Sequence, residues 1–118
     1  MNPTFLPPED LPPTSGFELD QRLHRQLEES ITKRFYEACD GVIQGLLCQC
    51  QWHVTTRARA LTLVLACPNA AVNWRVLNNL IPLANQLARF CPSAKIRVCP
   101  PAEMGVPFEL WIDEIAIL

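Results

Sequence analysis

The sequence predicts an α+β domain: a small two-layer sandwich in the order helix–strand–strand–helix–strand–strand, with the helices on one face of a mixed sheet. Its 118 residues match the size of one domain, and 49% of them are apolar, which is enough for a core. Apolar residues recur at helical spacing in two segments and at every second position in others. Five prolines within residues 1–14 predict a mobile, proline-rich N-terminal arm, so the folded domain is expected over residues 15–118.

The first predicted helix covers about residues 16–39. Ser15 and Glu18 fit the S-x-x-E capping box that often starts a helix. Apolar residues then recur every four positions, which indicates one apolar face: Leu19, Leu23, Leu27, Ile31 and Phe35. Gly41 is expected to end this helix, because glycine is the residue most often found just after a helical C-terminus.

The next segment changes to a period of two. Apolar and polar residues alternate from Leu46 to Thr55, which predicts a half-buried antiparallel strand. A second apolar run covers residues 61–67, and the intervening residues 56–60 are expected to join the two strands as a hairpin.

A second helix is expected after Asn69, which can act as its N-cap. Apolar residues fall at helical spacing over residues 72–88. Pro82 lies inside this segment and lacks a backbone N–H, so a kink or break is expected near residues 78–79.

Two further strands complete the predicted sheet, over residues 94–99 and 108–113. The last strand is expected at a sheet edge. Pairing of Phe108–Ile112 with its own copy would make the protein a structural homodimer.

Charge is strongly segregated along the chain, although the formal net charge is only −2. Residues 41–102 contain six bases and no acid, whereas residues 1–40 and 103–118 are both net acidic. The six bases are Arg57, Arg59, Arg75, Arg89, Lys95 and Arg97. They either pair with the acidic flanks inside the globule or stay on the surface, where they would meet an anionic partner.

Trp74 stands beside Arg75, early in the second predicted helix. If buried it would close the sheet edge, and if partly exposed it would be a typical binding hot spot. Because aromatic side chains mainly supply buried area, we expect Trp74 in the core. Arg75 and Arg89 are fourteen positions apart, close to four helical turns, so they project in similar directions unless Pro82 rotates them.

The residue types needed for catalysis are not assembled in the sequence. The four glycines form neither a phosphate-binding loop nor a G-x-S-x-G turn. His24 and His53 have no nucleophile arranged beside them. We therefore expect a protein that is not an enzyme.

The six cysteines are expected to be reduced and mostly buried. The first residues carry no secretory signal, which favours a cytoplasmic location, and no segment is apolar enough to span a membrane. Cys48 and Cys50 form the one close pair, and on a strand His53 would face away from them, so no metal site is expected. Three Cys-Pro pairs suit thiolate ligation of haem, but we interpret them as element ends and expect no cofactor.

Residues 61–98 resemble the central part of DciA-type domains. The similarity lies in a strand, a Trp a few residues into a helix, a Leu three positions later, a Pro in the same helix and a basic strand. The matching positions are Leu61, Leu63, Trp74, Leu77, Pro82, Ile96 and Val98. The resemblance implies a KH-like α+β fold and a role in loading bacterial replicative helicases, with DNA nearby.

We therefore expect a small binding or adaptor protein that uses an arginine-bearing surface to contact an anionic protein partner. A nucleic-acid-associated, KH-like factor linked to replication or helicase loading is the first alternative, and a structural homodimer is the second. The expected binding residues are Arg57, Arg59, Trp74, Arg75, Arg89, Lys95 and Arg97.

Overall fold

The computed structural model describes residues 13–56 and 60–117 of the chain. Within these residues it contains five α-helices, one short 3₁₀ turn (Ala102–Met104) and one four-stranded sheet. The helices are α1 (Pro13–Ala38), α2 (Gly41–Cys48), α3 (Ala70–Asn78), α4 (Leu80–Ala88) and α5 (Ile112–Ile117). The strands are β1 (Gln51–Thr55), β2 (Thr62–Ala66), β3 (Lys95–Cys99) and β4 (Phe108–Trp111). The predicted α+β class is confirmed.

The sheet has the order β1-β2-β3-β4 and is mixed. β1 and β2 form the predicted antiparallel hairpin, β2 and β3 are parallel, and β3 and β4 are antiparallel. The parallel pair requires a crossover connection, and α3 and α4 provide it. Residues 1–12 of the predicted arm and Arg57 and Arg59 of the hairpin turn lie outside the described residues.

The core lies between one sheet face and the helices. Leu63 on β2 stands opposite Val54 on β1 and Ile96 on β3, and all three are buried. Alternation along each strand therefore gives the sheet one apolar face, as expected for a two-layer domain. α1 packs on this face through Phe35, whose ring meets the rings of Trp52 and Phe90 edge-on, each at a centroid distance of 5.9 Å.

The ends of α1 differ from the prediction. The helix begins at Pro13, so Ser15 is its third residue and does not precede its first turn. It ends at Ala38, and Gly41 is the first residue of α2 instead of the end of α1. The cause is Asp40, whose Oδ1 accepts the Ile43 N–H at 2.9 Å and caps a new helix.

The predicted strand from Leu46 to Thr55 is wrong in its first half. Residues up to Cys48 belong to α2, and β1 begins only at Gln51. Ile43, Leu46 and Leu47 are buried together, a spacing that fits one face of a helix. A short apolar run satisfies both periods, and the Asp40 cap selects the helix.

The break in the second predicted helix is confirmed. α3 ends at Asn78 and α4 begins at Leu80, with Asn79 between them. Pro82 is the third residue of α4, in the first turn, where a backbone N–H has no acceptor within the helix. At the other end of the segment, Asn69 caps α3 as predicted, because its Oδ1 accepts the Val72 N–H at 2.9 Å.

The predicted last strand is too long by two residues. β4 ends at Trp111, and Ile112 starts the helix α5, with Ile112 and Ile115 buried. The carboxylate of Glu114 accepts the Trp111 N–H at 2.9 Å, which stabilises this first turn. The segment Phe108–Ile112 therefore does not form one continuous edge strand.

The apolar stripe of α1 does not form one buried face. An α-helix has 3.6 residues per turn, so each step of four residues rotates the stripe by about 40°, and five residues span about 160°. Phe35 is fully buried and Ile31 is half-buried, whereas Leu19, Leu23 and Leu27 are 53%, 54% and 52% exposed. Only the C-terminal part of the stripe reaches the core.

Polar side chains of α1 cover the edge of β1. The Val54 N–H donates to the hydroxyl oxygen of Thr32 at 3.1 Å, and the Thr56 N–H donates to Oε2 of Glu28 at 2.8 Å. These N–H groups point away from β2 and would otherwise be open to another strand. The helix thus covers the C-terminal part of this edge, whereas no described acceptor meets the outward N–H of Trp52.

The edge of β4 is also restricted. The Ile112 N–H donates to the Ala94 carbonyl, so the alternate N–H groups of Glu109 and Trp111 point outward. The Trp111 N–H donates to the carboxylate of Glu114. Position 107, two residues before Glu109, would also point outward, but Pro107 has no N–H. Among the described contacts, Glu109 alone keeps an outward N–H without an acceptor on this strand.

Candidate functional site

The structure places the described expected binding residues on two different surfaces. Lys95 and Arg97 lie on β3, on the sheet surface that faces away from the helices. Trp74 and Arg75 lie on α3, and Arg89 follows α4 as its C-cap residue. The chain therefore does not gather its central bases into one patch within the described residues.

The sheet face consists of the side chains opposite the core. Register places His53, Val64, Arg97 and Glu109 in one row across the four strands. The neighbouring row contains Thr55, Thr62, Lys95 and Trp111. This surface joins cations, a carboxylate and an aromatic ring.

Glu109 pairs with both cations of the sheet face. Its carboxylate oxygens lie 3.2 Å from Nζ of Lys95 and 3.2 Å from a guanidinium nitrogen of Arg97. The hydrogen bonds from Lys95 and then Arg97 lower the pKa of Glu109 below its ordinary value, so the carboxylate stays charged. Nζ of Lys95 also lies 5.2 Å from the ring centroid of Trp111, within cation–π range.

Trp74 is 59% exposed, so the expectation that it belongs to the core is wrong. Val72, Asn73 and Val76 form the buried arc of α3, and the helical rotation puts Trp74 about 150° from the middle of that arc. Val72 and Val76, and not Trp74, therefore supply the apolar side chains with which α3 packs into the core.

The guanidinium of Arg75 donates to Oε1 of Gln49 at 2.6 Å, which holds it beside the end of α2. No described carboxylate pairs with it. We call Trp74, Arg75 and Gln49 the Trp74 surface.

Arg89 is exposed, and no ion pair is recorded for it among the described residues. The four-turn relation between Arg75 and Arg89 does not hold, because the helix that would carry it breaks at Asn79. Of the four central bases that the structure describes, Lys95 and Arg97 share one carboxylate of the acidic flank, Glu109, whereas Arg75 and Arg89 pair with no described carboxylate. The expected pairing with an acidic flank is therefore found on the sheet face. The bases on α3 and at the end of α4 are instead exposed without a described carboxylate.

The histidines and cysteines show no arrangement for catalysis in the described part of the chain. Nε2 of His24 lies 2.6 Å from the Thr56 hydroxyl, and His53 is exposed on β1. Among the described residues, no group of three or more His, Cys, Asp or Glu side chains could hold a metal ion.

The thiols differ from the expectation that most are buried. Cys39 and Cys67 are buried, three others are half-buried and Cys48 is exposed. Burial raises the pKa of Cys39 to about 11, with a smaller contribution from Asp40, and burial with the neighbouring Cys67 raises the pKa of Cys50 to about 11. These two thiols stay protonated at neutral pH and are poor ligands or nucleophiles.

Comparison with known proteins does not assign the surfaces. No protein-family model, no curated protein and no solved structure matches the chain. The resemblance to DciA-type domains thus stays a prediction. In addition, none of the described helices is long and apolar enough to cross a membrane.

The sequence alone did not identify Glu109, Trp111 or Gln49 as site residues. Alternation along the last strand puts Glu109 and Trp111 on one side, and this signal was present in the sequence. Their position beside Lys95 depends on the pairing of two strands across an eight-residue loop, which no local pattern specifies. The Gln49 contact with Arg75 is likewise non-local.

Proposed function

We propose that the protein is a non-enzymatic adaptor that binds an anionic segment of another protein through the Trp74 surface. The observation that carries this proposal is the exposure of Trp74 on α3 beside Arg75, which has no carboxylate partner within residues 13–56 and 60–117. Tryptophan and arginine are the residues most enriched among those that dominate binding energies at protein interfaces.

The geometry of Arg75 suits recognition of a carboxylate. Arginine carries five N–H donors, and the contact with Gln49 at 2.6 Å uses one guanidinium nitrogen and fixes the side chain in place. The remaining donors are available for a planar, two-point contact with Asp or Glu of a partner. The indole of Trp74 would cover an adjacent apolar side chain of the same segment and exclude water from the ion pair.

The test compares proteins retained from native lysate by the immobilised full chain and by three variants. We expect Trp74→Ala and Arg75→Gln to lose a specific partner at least about tenfold, in line with hot-spot energies of about 2 kcal/mol. Val42→Ala is the matched control, because Val42 is an apolar residue of α2 that is 68% exposed. Equal retention of every captured protein by the wild type and Trp74→Ala would contradict the proposal.

A second candidate function is binding of single-stranded nucleic acid by the sheet face. It is favoured by Trp111, Lys95 and Arg97, because an aromatic ring among cations on an open sheet suits base stacking and phosphate contact. Glu109 opposes this function, since it already pairs with both cations. Among the described residues no carboxylate pairs with Arg75 beside Trp74, which makes the protein-binding proposal the stronger one.

Fluorescence anisotropy with a labelled single-stranded oligonucleotide distinguishes the two functions. A nucleic-acid binder loses affinity steeply with salt, and Trp111→Ala would weaken it while Trp74→Ala would not. Replacing Arg57 and Arg59 together by alanine would reduce the slope of affinity against salt if the hairpin turn contacts phosphates. Absence of binding at low salt would remove this candidate.

A further inference from the structure

Two cysteine side chains face each other at the open end of the β1–β2 hairpin. The pairing of the strands places Gln51 opposite Ala66. One position further, the same register places Cys50 opposite Cys67. Both side chains lie on the helix side of the sheet, Cys67 within the core and Cys50 packed against it. The two thiols are hydrogen-bonded to each other, so their sulfur atoms are already in contact.

The backbone around this pair suits a disulfide. The Cys50 N–H donates to the Leu47 carbonyl at 3.0 Å, so it does not bond across the pair. The Cys67 N–H donates to the Cys99 carbonyl at 2.9 Å and likewise points away from β1. Such a non-hydrogen-bonded pair in an antiparallel sheet has Cα atoms about 4.5 Å apart. A disulfide accepts Cα separations of about 4.4–6.8 Å, so a bond between these two sulfur atoms requires little movement of the backbone.

Neither Cys48 nor Cys99 is placed to compete for these thiols. Cys48 is the last residue of α2, and its thiol meets the hydroxyl of Tyr36 at 3.4 Å. Alternation along β3 puts Cys99 on the sheet surface that faces away from the helices, on the other side from Cys67. Among the described residues, no group of three His, Cys, Asp or Glu side chains could hold a metal ion. Two adjacent thiols without a third ligand are suited to a disulfide and not to a metal site.

We propose that Cys50 and Cys67 form a reversible disulfide, with a low-molecular-weight disulfide such as oxidised glutathione as the oxidant. The half-buried Cys50 is the thiol that the oxidant reaches, because Cys67 is only 5% exposed. The Cys50 thiolate attacks one sulfur of oxidised glutathione, which forms a mixed disulfide and releases one glutathione. Cys67 then loses its proton, and its sulfur attacks the sulfur of Cys50 and displaces the second glutathione. The protein loses two electrons and two protons, and oxidised glutathione becomes two molecules of reduced glutathione.

The first exchange is expected to be slow at neutral pH. Burial, with the neighbouring Cys67, raises the pKa of Cys50 to about 11, and the guanidinium of Arg75 opposes this increase only in part. Little thiolate is therefore present at pH 7, and the thiolate is the form that attacks. The pair would thus respond to a sustained change in the ratio of oxidised to reduced glutathione and not to a brief one.

Peptide mapping of the oxidised full chain tests the inference. The folded protein is incubated with oxidised glutathione at about pH 8.5, where more thiolate is present, and the remaining thiols are blocked with N-ethylmaleimide before digestion and mass spectrometry. We expect the Cys50–Cys67 linkage as the main intramolecular disulfide, and its loss after addition of dithiothreitol. Cys50→Ser should abolish this linkage, whereas Cys48→Ser, the same change at the neighbouring exposed thiol, should retain it.

Oxidation of the unfolded chain provides the control for geometry. In concentrated guanidinium chloride the same treatment should give a mixture of linkages, because the unfolded chain does not hold the two thiols together. A folded wild type that forms no intramolecular disulfide, or the same mixture as the unfolded chain, would overturn the inference. The test detects the linkage itself, so it can fail while the Trp74 surface still binds a partner.

Thermal unfolding gives a second, independent measurement. The disulfide closes the loop made of β1, the hairpin turn and β2, which restricts the unfolded chain. The oxidised wild type should therefore unfold roughly 5–10 °C above the reduced protein, and oxidised Cys50→Ser should show no such increase. A lower Tm for the oxidised wild type would show that the folded backbone does not accommodate the bond, and would refute the inference.

Discussion

Replacing Glu28 by alanine tests how α1 is attached to the sheet. One carboxylate oxygen, Oε2, accepts the Thr56 N–H at 2.8 Å and the Thr55 hydroxyl at 2.9 Å, and it lies 3.7 Å from Nε2 of His24. The substitution removes all of these contacts and leaves an N–H at the edge of β1 without its acceptor. We therefore expect Glu28→Ala to lower the free energy of unfolding.

The magnitude follows from the number and exposure of the contacts. A hydrogen bond to a charged group contributes about 1.5–3 kcal/mol when it is sheltered from water. The Glu28 side chain is 14% exposed, so water partly replaces the lost acceptor and the two main bonds do not add in full. A net loss of about 2 kcal/mol is expected, which lowers Tm by roughly 8 °C for a domain of this size.

The effect should depend on pH in a defined direction. Burial would raise the pKa of Glu28, but the hydrogen bonds from the Thr56 N–H and from the hydroxyls of Thr55 and Thr56 lower it overall below 4.5. The unfolded chain therefore takes up this proton at a higher pH than the folded protein does. The stabilisation is complete above the unfolded pKa and is lost as pH falls through the lowered, folded pKa.

Thermal and urea unfolding followed by circular dichroism provide the measurement. Glu29→Ala is the matched control, because Glu29 is the exposed neighbour on the same helix and no hydrogen bond or ion pair is recorded for it among the described residues. The difference between the wild type and Glu28→Ala should shrink between about pH 7 and about pH 3. A difference that stays constant over this range, or an equal loss in Glu29→Ala, would refute the reasoning.

Three further predictions concern single side chains. Asn73→Leu should raise the free energy of unfolding by about 1 kcal/mol in urea titrations, because Oδ1 of Asn73 is buried without a hydrogen-bond partner in the described structure; a loss of stability would show that the amide has a partner. Pro82→Ala should change stability by less than about 1 kcal/mol, since a first-turn position needs no N–H; a larger loss would indicate that the ring itself packs. Glu109→Gln should leave Lys95 and Arg97 unpaired, so oligonucleotide binding should strengthen and become more salt-dependent if the sheet face contacts phosphates; unchanged anisotropy would argue against that candidate.

The element order could be predicted from the sequence because each element carries a local signal. Asn69 as an N-cap and Pro82 as the cause of a break both act within a few residues of their position, and both predictions are confirmed. The hairpin likewise needs only two neighbouring apolar runs. Local sequence signals were sufficient to predict an element wherever they favoured one type of secondary structure over the others.

The errors arise where two interpretations were of similar strength. Residues 46–48 fit a strand and a helix equally by pattern, and the cap at Asp40 decides for the helix. The burial of Trp74 was expected from residue type alone, whereas the valines on either side of it occupy the buried arc of α3. The position of a residue around the helix axis therefore determined its burial more strongly than the general tendency of its residue type did.

The candidate surfaces were only partly predictable for a different reason. Whether Lys95 and Arg97 are free depends on Glu109, and the contact exists because two strands pair in one register. Charge segregation along the chain indicates that opposite charges are available, but it does not specify which of them meet. Register is set by the whole core, and a linear pattern does not contain it.

The covered edges of the sheet restrict how another molecule can bind this protein. Thr32 and Glu28 accept the outward N–H groups of Val54 and Thr56 on one border. On the other border Glu114 accepts that of Trp111 and Pro107 has none, so among the described contacts only Trp52 and Glu109 keep an outward N–H without an acceptor. Few main-chain donors are therefore left for a partner that would bind by adding a strand to the sheet. In that mode main-chain hydrogen bonds supply the affinity, and they depend little on the sequence of the partner. For the binding role proposed above, selectivity would therefore come from side chains, and exchange of a few surface residues would change the partner while the scaffold stays the same.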